Sequence, residues 1–334
     1  MNEITKPRSY SFHRLELRVL CSEAIASSLG SRFRLLGSIA QPSEIISFDF
    51  QPVSGPSGHT VQKPKGPGSP FYEFEYGEAL YFKDSDQLYL RFGEGVRVLC
   101  APTQGRATFS AVESDPVNLF MATHLMFTIV LVEMLKRRGY YSVHAAGFSK
   151  DGKAILIPGT SGAGKSTLAI TLLRSGLGYL SDDMVFVRRG SDELRVFGFP
   201  EDVDVSDQTI RFFPELGFLA GAPKAYGWPK KQVRADEVYG VELVGEATAG
   251  AIILPQIAHR DTSAVREITS DEALLEIVSN VLLTEIRSCQ MHLSVLTELV
   301  RHTPCYRLET GRDFEQIPSI LAELVGGTRE EVHA

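Results

Sequence analysis

Apolar and polar residues alternate with a period of two over residues 15–19, 71–76, 88–92 and 96–99, the pattern of strands with one buried face. Residues 45–50 and 80–82 read as further strands, and residues 22–29 as a short helix. Asp84-Ser85-Asp86 and Gly93-Glu94-Gly95 supply turns at meander spacing. Between them, residues 52–70 lose any apolar period. Pro52, Pro56, Pro64, Pro67 and Pro70 are interleaved with Gly55, Gly58, Gly66 and Gly68, which predicts a flexible surface loop, made mildly basic by Lys63 and Lys65. The first 115 residues therefore predict a small, β-rich, antiparallel domain with its aromatics in the core.

The pattern then turns helical. Asp115 is placed to cap a helix and Pro116 to begin it, while Lys136, Arg137 and Arg138 suit its negative end and Gly139 closes it. A boundary at Asp115 divides the chain into a β-rich N-terminal domain, residues 1–115, and an α/β domain, residues 116–334. Residues 119–135 are the most apolar stretch. They contain Thr123, His124, Thr128 and Glu133, fall short of a clean membrane span, and predict a buried core helix.

Strands follow at 141–148 and 154–157, a helix at 168–173, and short strands at 178–180, 184–187 and 194–199. Residues 200–240 read as irregular, with Pro200, Pro214, Pro223, Pro229, the single Trp228, and a basic cluster of Lys224, Lys230, Lys231 and Arg234. A connection of that length is usually functional or mobile. Residues 250–257 form a buried strand, Thr269 and Glu272 a capping box, residues 271–301 two helices, 305–308 a strand, and 317–325 a last helix closed by Gly326-Gly327.

Composition narrows the class. The 334 residues are 43% hydrophobic, enough for a sizeable core, and the net charge of −7 argues against nucleic-acid binding through a general basic field. Cys21, Cys100, Cys289 and Cys305 are scattered, so neither a zinc site nor a disulfide framework is expected, and a reducing cytoplasm is the simplest compartment. Glu3, Lys6 and Arg8 without an apolar run do not make a signal peptide, and no membrane partner is expected.

The chemistry concentrates at Gly159-Thr160-Ser161-Gly162-Ala163-Gly164-Lys165-Ser166-Thr167, which fits G-x-x-x-x-G-K-[ST] between an apolar strand and a helix. Glycines let successive backbone N–H groups curl around a polyphosphate, and the following helix adds the positive end of its dipole. Lys165 is placed to reach outer phosphates and Ser166 to ligate Mg²⁺. Asp182 and Asp183 stand seventeen and eighteen positions after Lys165, close enough to return to the mouth of the loop. One carboxylate there can hold Mg²⁺ and the other accept the proton of an attacking hydroxyl. The apolar strand at 251–254, of the kind that ends in a second acidic motif in many P-loop NTPases, ends in Pro255-Gln256 instead. His144 alone on a strand reads as a core or edge residue.

His144-Ala145-Ala146-Gly147, the phosphate loop and Ser181-Asp182-Asp183 together resemble the HPr kinase-like group of P-loop proteins, which is related to phosphoenolpyruvate carboxykinase. The stretch is most similar to the smaller HPr kinase-related proteins, among them lasso-peptide kinases, and Tyr306-Arg307-Leu308 with the helix after it also resembles their C-terminal end. The resemblance implies a P-loop kinase domain of the HPr kinase and carboxykinase type, and transfer of phosphate from ATP, with Mg²⁺, to a serine of a protein or peptide. It makes His144 a candidate beside the reacting phosphate, Asp183 the base and Asp182 the assistant to the metal. It also implies a late basic residue on phosphate, with Lys230, Lys231 and Arg234 as candidates. Phe197-Gly198-Phe199-Pro200 stands where the glycine-rich signature of HPr kinase/phosphorylases would follow, which leaves the reverse reaction and HPr as substrate unsupported.

The expected protein is a cytoplasmic serine kinase acting on a protein or a ribosomally made peptide, with association of copies left open. Its rivals are a nucleotide-binding or ATPase regulatory module without a phosphoacceptor, and a kinase of a small hydroxy compound such as free serine.

Overall fold

The computed structural model describes residues 6–38, 41–160, 162–222, 224, 230–258 and 260–326. Ser161 of the phosphate loop, Pro223, Trp228, Pro229 and Gly327 lie outside the described residues. The chain is mixed α/β and divides into two compact units. The first holds the described residues up to Tyr141 and those of Leu282–His292; the second holds those of Ser142–Lys224, Pro229–Val281 and Leu293–Ala334.

The first unit is built on an eight-stranded sheet. Its strands are β1 (Lys6–Phe12), β2 (Leu15–Cys21), β3 (Glu44–Pro52), β4 (Ser69–Phe74), β5 (Gly77–Phe82), β6 (Gln87–Phe92), β7 (Val96–Ala101) and β8 (Arg106–Ala111), in the order β1-β2-β3-β8-β7-β6-β5-β4. The sheet is mixed, not antiparallel throughout as the alternation predicted. β3 runs parallel to both β2 and β8. The cause is the connection after Cys21, which carries helix α1 (Glu23–Phe33), capped by Ser22, and is long enough for a crossover.

Helices α2 (Pro116–Met121) and α3 (Phe127–Lys136) are joined through a π-helical turn at Ala122–Met126. Asp115 caps α2 through the Val117 N–H at 2.8 Å. Arg32 of α1 donates to the His124 carbonyl at 3.3 Å and to the Thr128 hydroxyl at 2.7 Å, and that hydroxyl in turn donates to the His124 carbonyl at 2.8 Å. The Phe127 ring packs at 4.8 Å from Phe48 and 5.4 Å from Phe33, so α3 covers the aromatic face of the sheet.

Pro116–Lys136, at 21 residues, is by length and composition long enough to cross a membrane, more than the shorter apolar run suggested. It forms part of the first unit's core: Phe127, Val130, Leu131 and Leu135 are buried there, and so is the ion pair of Glu133 with Lys136. The proline-rich segment is anchored, contrary to the flexible loop predicted. His59 is 7% exposed, with Nδ1 at 2.9 Å from the Ser110 hydroxyl and Nε2 at 2.7 Å from the Glu94 carbonyl, and Val61 packs with Leu80, Phe82 and Tyr89.

The second unit contains β9 (Tyr141–Lys150), β10 (Lys153–Pro158), β11 (Gly178–Ser181), β12 (Met184–Arg189), β13 (Leu194–Gly198), β14 (Val203–Val205), β15 (Lys231–Val233), β16 (Glu246–Ile257), β17 (Ala264–Glu267) and β18 (Cys305–Thr310). Its helices are α4 (Lys165–Arg174), α5 (Asp207–Phe212), α6 (Ala235–Tyr239), α7 (Ser270–Val278), α8 (Ile286–His302, from Leu293 on) and α9 (Ile317–Gly326). The main sheet runs β10-β9-β12-β13-β16-β18-β17 and closes on itself, because β10 also pairs with β16. β10 thus has the antiparallel β9 on one edge and the parallel β16 on the other.

The described residues within 200–240 form more regular structure than their weak periodicity predicted. β14 and β15 pair, and α5 is capped by Ser206, whose hydroxyl accepts from the Thr209 N–H at 3.1 Å. These elements are too short to register as a period. The capping box of Thr269 and Glu272 stands at the start of α7, and the four cysteines are free.

Candidate active site

β10 is buried along its apolar length and ends at Pro158, so the chain leaves the sheet into the glycine loop at a fixed point. Gly162 and Gly164 have φ of 87° and 96°, where an L side chain is strained, and this curls the loop onto the start of α4. Four other helices of the chain are capped by Ser22, Asp115, Ser206 and Thr269. The N-cap of α4 is Gly164, with no side chain to satisfy the first-turn N–H groups. Ala163, Lys165, Ser166 and Thr167 are half-buried around this opening, and Thr160 and Gly162 are exposed on it.

Lys165 is folded over the loop. Its ammonium donates to the Gly159 carbonyl, and to His144 Nε2 at 3.3 Å. His144 Nδ1 lies 3.2 Å from Asp183 Oδ1. One imidazole tautomer serves both contacts: the Nδ1 proton goes to the carboxylate and the Nε2 lone pair receives the lysine. His144 of β9, Asp183 between β11 and β12, and Lys165 at the start of α4 thus form one chain of contacts. Burial pushes the Lys165 ammonium below its ordinary value, Asp183 opposes that, and the positive charge of Lys230 adds to it.

Asp182 and Asp183 differ sharply. Asp183 is 63% exposed in its side chain, at the mouth. Asp182 is buried and accepts from the Asp204 backbone N–H at 3.0 Å. Burial raises its carboxyl to about 7 against the Asp204 hydrogen bond, with the charges of Asp204 and Asp183 adding to the rise. A nearby cation would reverse that shift, and the uncapped start of α4 with Lys165 suits a phosphate chain, so the residues present fit Mg²⁺ and a nucleotide. Among the described residues no three His, Cys, Asp or Glu side chains form a metal cluster. A hard cation here would take Ser166, Asp182, phosphate oxygens and water.

The late basic residues separate by their partners. Lys231 donates to the Ala220 carbonyl at 2.8 Å and pairs with Asp207 at 3.1 Å, and Arg234 pairs with Glu237 at 2.5 Å. Lys230 is the one whose charge acts on both Lys165 and Asp182. Neighbours of the loop on α5 and on β16 carried no motif signal. Thr209 of α5 lies 3.3 Å, hydroxyl to hydroxyl, from Thr167, and Pro255 and Ile257 of β16 lie against the loop glycines. The alternation of 255 and 257 at the end of a parallel strand is the sequence feature that could have flagged the second pair.

No protein-family model and no curated protein matches the chain. Among solved structures, the HPr(Ser) kinase/phosphatase from Coxiella burnetii is similar over 55% of this chain and 93% of that chain, at 14% identity and a TM-score of 0.29.

Proposed function

We propose that the second unit is a phosphotransferase that moves the γ-phosphoryl group of ATP to a serine hydroxyl of a protein or ribosomally made peptide. The observation that carries this is the line Asp183–His144–Lys165, which sets an exposed carboxylate and an ammonium together at the mouth of the glycine loop. Backbone N–H groups of the loop and of the first turn of α4 would hold the phosphates. Lys165 would exchange the loop carbonyls for phosphate oxygens as charge develops on the transferred group, and Lys230 would add positive charge beside it.

Asp183 would receive the proton of the acceptor hydroxyl as the new O–P bond forms and the bond to ADP breaks. His144 would hold that carboxylate in place through Nδ1. Ser166 and Asp182 would hold Mg²⁺, which when bound neutralises and aligns the phosphate oxygens. An ionised Asp is a weak base, but a loose phosphoryl-transfer transition state asks chiefly for positioning and late proton acceptance.

ATP labelled in the γ-position, incubated with Mg²⁺ and serine-bearing acceptors, tests the assignment. Label on a peptide supports it, label on free serine moves the acceptor to a small hydroxy compound, and label released only as inorganic phosphate favours an ATPase module.

A further inference from the structure

β16 runs parallel to β10 and carries two alternate side chains against the glycine loop. A Cβ placed on Gly159 would stand 3.5 Å from Pro255 Cγ, and one placed on Gly164 would stand 3.5 Å from Ile257 Cγ1. Pro255 is buried beneath the loop, whereas Ile257 is 53% exposed. It stands beside the residue that opens α4. Its exposed apolar surface lies at the end of the strand, next to the loop.

Topology gives this surface a direction. β9 and β16 occupy opposite edges of β10. His144 lies on β9, and Asp183 follows β11, which also pairs with β9. The reacting end of the site is therefore on the β9 side, and Ile257 is on the other. A nucleotide whose terminal phosphate meets Lys165 and Asp183 extends its remaining length across the loop toward β16.

We propose that Ile257 is a positioning residue for the ribose and base of the nucleotide, an apolar ledge at the far end of the phosphate loop. This rests on the nucleotide reading above. Apolar contact with the face of a base or sugar is insensitive to the phosphate chain, so the two parts of the ligand are separable by experiment. The ledge adds binding energy in proportion to the apolar area that it covers.

The affinities of the wild type, Ile257→Ala and Ile257→Phe are compared for Mg·ATP and for Mg·tripolyphosphate by isothermal titration calorimetry. Circular dichroism monitors folding, which a half-exposed strand end should preserve. Ile257→Ala, which removes apolar area without adding charge beside the loop, is expected to weaken ATP by about fivefold or more and to leave tripolyphosphate within about twofold, while Ile257→Phe keeps ATP affinity. Equal loss for both ligands, or no loss of ATP, overturns the ledge while the nucleotide site stands. If the wild type binds neither ligand, the nucleotide reading itself fails, and the ledge with it.

Discussion

His144 Nδ1 lies 3.2 Å from Asp183 Oδ1 and so ties the exposed carboxylate at the loop's mouth to strand β9. An unsupported carboxylate on a turn would sample many rotamers. The imidazole restricts it, and Lys165 holds the other nitrogen of the same ring, Nε2, at 3.3 Å.

Asp183→Asn keeps the size of the side chain and removes its capacity to take a proton. Transfer should fall by about 10²- to 10⁴-fold, the range for a positioned acid or base, while the dissociation constant for ATP changes by less than about threefold. Single-turnover transfer and equilibrium binding on the same preparations check this. Near-normal transfer in the variant would move the base to another group.

Lys165→Ala removes the ammonium that spans His144 and the loop carbonyl of Gly159. Charge-assisted hydrogen bonds contribute about 1.5–3 kcal/mol each, so ATP affinity should drop by roughly 10- to 100-fold. Calorimetric titration measures it directly. Lys231→Ala, which removes a side chain already paired with Asp207, should lower thermal stability more than ATP affinity.

Asp182 gives the unliganded protein a pH dependence of known sign. Its carboxyl is near 7 when folded against an ordinary 3.8, so the folded state holds a proton that the unfolded chain releases. The stability from this group is present in full below the ordinary value. It falls as pH rises toward 7 and is gone above it. The Tm should therefore decline between about pH 4 and 7 and level off by pH 8, and Asp182→Asn should flatten the decline and exceed the wild type above pH 7. Differential scanning fluorimetry across that range reads both.

In the first unit, Glu133 and Lys136 form a pair with both side chains fully buried, and the Thr284 hydroxyl donates to the same Glu133 at 2.9 Å. Removing one partner strands the other charge in the core. Glu133→Ala should cost about 3–5 kcal/mol, and the double variant Glu133→Leu with Lys136→Met should recover much of it. Urea unfolding of the single and double variants measures the difference.

Local signals in this chain were legible where a few neighbouring residues determine the geometry. The Asp115 cap, the Thr269–Glu272 box, the strand into the glycine loop and the return of Asp182-Asp183 after α4 all depend on short spacings. The parallel pairing of β3 with β2 and β8 was not legible, because alternation reports which face is buried and not which strand lies alongside. His59 was hidden for a similar reason: its partners, Ser110 and Glu94, are far along the chain. Within the site, spacing placed the acids near the loop but could not tell the buried Asp182 from the exposed Asp183, nor Lys230 from Lys231. Those distinctions arise from β14, β15 and α5, elements too short to leave a period.

The most direct test of the proposed transfer follows the γ-phosphoryl group in parallel reactions of wild type and Asp183→Asn, with Mg²⁺ and a panel of serine-bearing peptides and free serine. The account predicts label on a serine oxygen with the wild type and its near-complete loss with the variant, at unchanged ATP binding. Label released as inorganic phosphate at equal rates by both proteins, with none on any acceptor, would contradict it.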